Sequence, residues 1–248
     1  MKILVCIKQV ADLESRFQVA SGQTWFNETD LAFRLNEYDE FAVEAAVQLK
    51  EQTGGDLTVI SVGPARASEA LKKALAMGAD QAVHVLEDQQ LESFQTAQVI
   101  FEQIKAQGYD LIFTGMQSSD KGSGQVGLLL GEMLKINSVS CVVAFKYDGR
   151  IEVERELEGG LRAKLKLATP ALVTCQLGLN QPRYPTLPNI MKAKKKPKSE
   201  VTSPAPASRL QVVALGPPPK AGAAELIEGD LLAQVSKVVA ILKEHKLA

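Results

Sequence analysis

LTVISVGPARASEALKKALAMGAD, residues 57–80, decides the fold of this chain. Leu57 to Val62 is a short apolar run of the kind found in strands buried on both faces. Ala65 to Met77 has a helical pattern, and Gly78 closes it. A further short strand is expected at Ala82 to Val85. Strand, helix, strand in so few residues is a βαβ unit, and its two strands must lie parallel.

The same alternation extends in both directions. Lys2 to Ile7 (KILVCI) reads as a buried strand, and Asn36 to Lys50 as a helix with Phe41, Ala45, Val47 and Leu49 among acids. Leu91 to Gln107 is a helix stopped by Gly108, Leu111 to Thr114 a strand, and Gly122 to Leu134 a helix. The fold class is therefore α/β, a doubly wound parallel sheet. Such sheets bind ligands beyond the carboxyl ends of their strands, near a topological switch. The loops after Ile7, Val62 and Thr114 are the ones to watch.

After about residue 138 the pattern changes. Val139 to Tyr147, Ile151 to Leu157, Leu161 to Leu167 and Ala171 to Cys175 are strand-like, with turns at Asp148-Gly149 and Gly159-Gly160. They predict an antiparallel or mixed extension of the sheet. Lys192 to Lys220 is rich in Lys, Pro, Ser and Ala and reads as a linker or extended arm. Leu231 to Leu247 is an amphipathic helix with Leu232, Val235, Val238, Val239 and Leu242 on one side. The expected organisation is an α/β core over 1–190, followed by a C-terminal arm and helix over 191–248.

The chain has 248 residues, 46% hydrophobic and 23% charged, with a net charge of -1. That balance fits a soluble globular protein and supplies no global field for nucleic acid or an anionic membrane. No run approaches the roughly 18 apolar residues of a membrane span, so no membrane insertion is expected. The opening MKILVCIK is too short for a signal-peptide core, which points to bacterial cytoplasm ahead of a mitochondrial matrix. Cys6, Cys141 and Cys175 sit far apart in apolar runs and read as reduced thiols. With two histidines and no ligand spacing, no metal site is expected. No nucleophile–base pair or carboxylate dyad emerges, so no catalytic residue is assigned, and His84 reads as structural.

Two segments suggest binding. GMQSSDKGSGQVG, residues 115–127, lies between a strand and a helix. Ser118, Ser119 and Asp120 are N-cap types, and Gly122 and Gly124 let backbone approach a ligand. Free N–H groups at a helix start, with the Ser123 hydroxyl, would suit a phosphate. The spacing is neither a P-loop nor GxGxxG, and a plain capping loop explains the residues as well. Asn36, at the start of a helix, could present its amide to an adenine or a phosphate. The second segment is LNQPRYPTLPNIMKAKKKP, residues 179–197, where Pro182, Pro185 and Pro188 predict a stiff surface loop. A pre-ordered loop loses little entropy on docking. The lysines behind it lack interleaved aromatics, so nucleic acid is a poor reading.

These segments, with MKILVCIKQV at the start, ALAMGAD at Ala74 to Asp80 and ERELEGGLRAKLKLATPALVT at Glu154 to Thr174, resemble the β (small) subunit of electron transfer flavoprotein. The resemblance implies an adenine-nucleotide α-hydrolase-like sheet and a heterodimer with a larger α subunit. FAD would be held mainly by that partner, in the cleft between the two. Electrons would come from flavin dehydrogenases and leave to a quinone reductase or another acceptor. This chain would bind AMP structurally, the alternative being a second FAD in an electron-bifurcating, NADH-linked complex.

The nucleotide contacts implied are Cys6, Asn36, Glu37, Tyr38, Asp39, Val62, Gly115, Met116, Gln117, Ser118, Ser119, Asp120, Lys121, Gly122, Ser123, Gly124, Gln125 and Val126. In the common AMP pattern the loop carries more acids and amides than Lys121 to Gln125 supply. Ser118-Ser119-Asp120 is similar to members serving methylotrophic and related bacteria, whereas Asp120, Ser123, Gln125, Val126 and Gly127 partly resemble bifurcating ones. Tyr38 would also lie near the flavin's dimethylbenzene edge. Leu187 matches the partner-recognition leucine, with Tyr184, Pro188, Ile190 and Met191 around it. Glu156 matches an acid that tethers the partner's flavin domain, and the arm would pack on the α subunit.

Overall fold

In a computed structural model of the chain, residues 1–20, 22–216, 222 and 224–247 are described. Residues 217–220, the end of the expected linker, lie outside the described residues. The elements run β1 (Lys2–Cys6), β2 (Gln9–Ala11), β3 (Phe33–Leu35), α1 (Glu37–Thr53), β4 (Asp56–Gly63), α2 (Ser68–Met77), β5 (Gln81–Leu86), α3 (Ser93–Ile104) and β6 (Leu111–Gly115). They continue with α4 (Val126–Leu134), β7 (Asn137–Tyr147), β8 (Ile151–Glu156), β9 (Arg162–Leu167), β10 (Ala171–Cys175), α5 (Leu187–Ala193), β11 (Lys198–Thr202) and α6 (Leu231–Glu244).

Among the described residues nine strands form one sheet in the order β11-β5-β4-β1-β6-β10-β7-β8-β9. From β11 to β7 every neighbouring pair is parallel; β7-β8 and β8-β9 are antiparallel. The expected doubly wound sheet with its antiparallel extension is thus present. The chain winds from β1 out to β4 and β5, then crosses to β6 on the other side of β1. That reversal puts the switch point at the carboxyl ends of β1 and β6, where Cys6 lies opposite Thr114.

Alternation along β1 builds both faces of the core. Ile3 and Val5 join the apolar cluster that includes residues of α1 and α2, while Leu4 and Cys6 join the one that includes residues of α3 and α4. All four side chains are buried, which is why KILVC reads as a continuous apolar run.

Three local expectations are corrected. Residues 122–125 are not helical: Gly122 and Gly124 hold φ of 59° and 61°, and α4 begins at Val126. The left-handed conformation cannot continue a right-handed helix. The proline-rich segment ends in a short helix, not a loop. Thr186 accepts a hydrogen bond from the Asn189 N–H, and Pro188 occupies the first turn, where its missing donor costs nothing. Within the stretch read as a linker, β11 pairs in parallel with β5. Its side chains are mostly exposed, so backbone pairing rather than an apolar pattern makes the strand.

Among the described residues no helix is long and apolar enough to cross a membrane. α6 carries its apolar residues exposed, Leu232 at 80% and Val235 at 50% among them.

Candidate functional site

A cleft opens over the carboxyl ends of β1, β4 and β6, at the switch point. Asn36, 1% exposed just before α1, fixes the loop that follows β6. Its Nδ2 donates to the Gln117 carbonyl at 2.9 Å and its Oδ1 accepts from the Ser119 N–H at 3.0 Å. Its side chain does not cap α1; it staples two loops together. Asp39, one turn further, does the same for the strand ends. Its carboxylate accepts the Lys8 N–H at 2.7 Å and the Gly115 N–H at 3.0 Å. Burial pushes the Asp39 carboxyl up to about 7, although those two N–H bonds pull the other way.

Above this floor, Lys8 Nζ meets the two carboxylate oxygens of Asp120 at 2.6 and 2.7 Å. Burial works to raise the Asp120 carboxyl, yet the Lys8 ammonium leaves it below its ordinary value. Lys121 Nζ donates to the Leu91 carbonyl at 2.8 Å, and burial followed by the Lys8 charge lowers its pKa. Ser123 Oγ accepts from Ser93 Oγ at 3.1 Å. Gln125, the residue before α4, makes no side-chain cap, so first-turn N–H groups of α4 lack partners within the helix. Two ammonium groups, a serine hydroxyl and uncapped backbone donors around one cleft can receive an anion.

Of the residues singled out from the sequence, Cys6, Asn36, Asp39, Val62, Gly115 to Ser118, Asp120, Lys121 and Ser123 to Val126 line the cleft. Four lie outside its lining. Glu37 is exposed, and Tyr38 accepts a hydrogen bond from Gln117 Nε2 at 3.1 Å. Ser119 gives its N–H to Asn36, and Gly122 closes a turn with the Ser118 carbonyl at 2.8 Å.

Sequence reasoning missed Lys8, Trp25, Phe33 and Arg66, which also line the cleft. Lys8 carried a signal, since it follows directly on the first strand. Arg66 lies 3.7 Å over the Phe33 ring and pairs with Glu28 at 2.7 Å, contacts between segments distant in sequence.

Burial, and secondarily the Asp39 charge, pushes the Cys6 and Cys175 thiols far up. Neither is a thiolate nucleophile. Among the described residues no cluster of His, Cys, Asp or Glu could hold a metal. His84 Nε2 donates to the Gly63 carbonyl, 3.0 Å away, and is buried between strands.

The second singled-out region lies away from the cleft. Tyr184 is 91% exposed, Leu187 79%, Met191 60% and Ile190 41%, and Pro188 is exposed with them. They form an apolar tip with no cover among the described residues. Glu156, at the end of β8, is exposed and accepts from Gln176 Nε2 at 3.2 Å.

Fold and cleft define a doubly wound α/β protein with a cleft at its switch point, lined by Lys8, Lys121 and the start of α4. The electron transfer flavoprotein domain matches residues 23–206. The chain is 37% identical to electron transfer flavoprotein subunit beta of Bacillus subtilis, covering 99% of this chain and 98% of that protein. It is 35% identical to the same subunit of Methylophilus methylotrophus, over 99% of both, and 36% identical to the human one, over 96% and 98%. The chain belongs to the electron transfer flavoprotein family, among its beta subunits.

Proposed function

We propose that this chain is the small subunit of a two-chain electron carrier and that it performs no catalytic step of its own. The redox centre is FAD, held mainly by a larger α subunit; when bound, the flavin supplies the electron chemistry, and this chain supplies shape and docking. The cleft holds AMP as a structural ligand. The single observation that carries this reading is the cleft itself. It joins Lys8, Lys121, Ser123 and the uncapped start of α4 at the switch point of the sheet.

The exposed tip around Leu187 offers a donor dehydrogenase an apolar anchor, and electrons leave to a quinone reductase or another acceptor. Burying one leucine contributes about 1.5–3 kcal/mol, which suits a contact that must form and break. The C-terminal helix, exposed along its apolar side, packs on the α subunit. Glu156 meets a cation of the flavin-bearing domain as a weak, breakable exposed pair.

A cofactor inventory of the co-purified complex tests the reading. One FAD and one AMP per heterodimer is the expected result. Two FAD and no AMP would place the chain in an electron-bifurcating complex. A single-chain species without flavin would overturn the proposal.

A further inference from the structure

Between β2 and β3 the chain makes an excursion over residues 12–32, and the one tryptophan of the protein sits in it. Trp25 stacks on Phe26 with ring centroids 4.3 Å apart, and Phe17 meets Phe26 edge-on at 5.1 Å. Trp25 Nε1 donates to Glu28 Oε1 at 2.9 Å, and the other oxygen of Glu28 takes the Arg66 guanidinium at 2.7 Å. This packet forms one wall of the cleft.

Lys121, on the loop after β6, also lines the cleft. Its ammonium lies 5.3 Å from the Trp25 ring centroid while it donates to the Leu91 carbonyl. One side chain on the nucleotide loop thereby ties the excursion and the segment before α3 to each other. Asp120, Lys8 and Glu92 are the other charged groups acting on it. Around Trp25, Gly22, Gln23 and Thr24 are exposed; the Asn27 N–H bonds the Gln18 carbonyl within the excursion, and the Leu215 N–H bonds the Gln23 carbonyl from a distant segment.

We propose that Trp25 and Lys121 form a latch that retains the nucleotide, an inference that rests on the nucleotide reading of the cleft. A cation over an indole face is worth most when water is excluded. Closing the mouth over a bound adenylate strengthens the pair, and opening the mouth breaks it. The pair thus adds a barrier to release beyond the charge that Lys121 offers a phosphate.

The test is release of labelled AMP from the full chain, carried with its partner subunit, after a chase with unlabelled AMP. Trp25→Ala and Lys121→Met are each expected to speed release by about 5- to 30-fold. Trp25→Phe and Lys121→Arg retain a ring and a cation and are expected to stay near wild type. Because the two side chains act as one contact, the Trp25→Ala, Lys121→Met double variant is expected to release no faster than the faster single variant. Unchanged release in both single variants, or multiplicative effects in the double one, would overturn the latch and leave the nucleotide site standing. A wild-type complex that takes up no AMP would overturn both.

Discussion

Arg183 holds Glu44 from two directions: its Nε and Nη2 donate to the two carboxylate oxygens at 2.9 and 3.0 Å, and its own backbone N–H donates at 3.2 Å. Glu44 lies on α1 with a side chain only 3% exposed, whereas Arg183 is 34% exposed. The same guanidinium reaches Glu51, two turns further along the same face of α1, and holds that carboxyl below its ordinary value. Asn180 adds a bond to the Phe41 carbonyl at 2.9 Å. The segment leading to Leu187 is therefore bolted to the same helix whose N-terminal residues, Asn36 and Asp39, organise the cleft.

Arg183→Ala leaves a buried carboxylate without its cation. A fully buried pair would cost about 3–5 kcal/mol, and a third of Arg183 still meets solvent, so we expect about 2–3 kcal/mol. Arg183→Lys should recover only part of this, because an ammonium cannot match the fork on Glu44. Urea unfolding of the three proteins measures it. Equal stability of wild type and the alanine variant would show that the fork adds nothing.

Leu187→Ala should weaken electron acceptance from a partner dehydrogenase by about 10-fold or more, given ~1.5–3 kcal/mol for a buried leucine. FAD content and subunit assembly should be unchanged, since Leu187 is 79% exposed and supports nothing beneath it. Steady-state reduction by the dehydrogenase as a function of carrier concentration gives the number. An unaltered curve would remove Leu187 from the docking surface.

Most of the sheet was legible because its strands are buried on both faces. Runs such as KILVC and LTVISV have no polar alternation to confuse them. β11 was hidden for the opposite reason: Lys198, Ser199 and Glu200 are polar, and the strand exists through backbone pairing at an edge. α5 was masked by its own prolines, which mark a helix start as readily as a loop. Lys196 belonged to a lysine run that suggested a solvated arm or a contact with the α subunit. In the fold its ammonium donates to the Leu75 and Ala79 carbonyls at the end of α2, a cap formed across 117 and more residues. The cleft was half visible. Asn36 and the loop after β6 declared themselves by type and position, whereas Trp25 and Arg66 enter from segments whose approach only the folded chain defines.

Asp39 should give the protein a pH slope. Its carboxyl rises from an ordinary value of 3.8 to about 7 in the fold, chiefly by burial. The folded state therefore binds a proton more tightly than the unfolded chain does. Its stabilising contribution is complete below about pH 4 and is lost as pH climbs through about 7. Lys8, Cys6 and Cys175 are the other titratable groups acting on it or acted on by it. Asp39→Asn removes this slope. It also sets an amide N–H against one of the two backbone donors, at about 1–3 kcal/mol. Unfolding free energies at pH 5 and pH 8 check this: wild type should lose more between the two than the variant, and parallel losses would contradict the assignment.

Two glycines of the same loop should fail in different ways. At Gly115 a Cβ would stand 2.3 Å from Asp39 Oδ1 and 2.7 Å from Tyr38 Cβ. Gly115→Ala must therefore push α1 off β6, and we expect a stability loss of about 1–3 kcal/mol from overpacking, with or without ligand. At Gly124 the nearest protein atom to a Cβ is the Met116 carbonyl oxygen at 3.6 Å, an ordinary contact, so space is not what glycine supplies there. Its φ of 61° is. Gly124→Val, β-branched in a left-handed conformation, should distort the loop at about 1–2 kcal/mol or more and release the bound nucleotide. Gly124→Asn, which tolerates that conformation, should keep it. Nucleotide content after gel filtration, read beside the melting temperature, separates the cases. Gly115→Ala should lower the melting temperature most, and Gly124→Val should lose nucleotide most. Full nucleotide occupancy in Gly124→Val would mean that the backbone at this position does not shape the site.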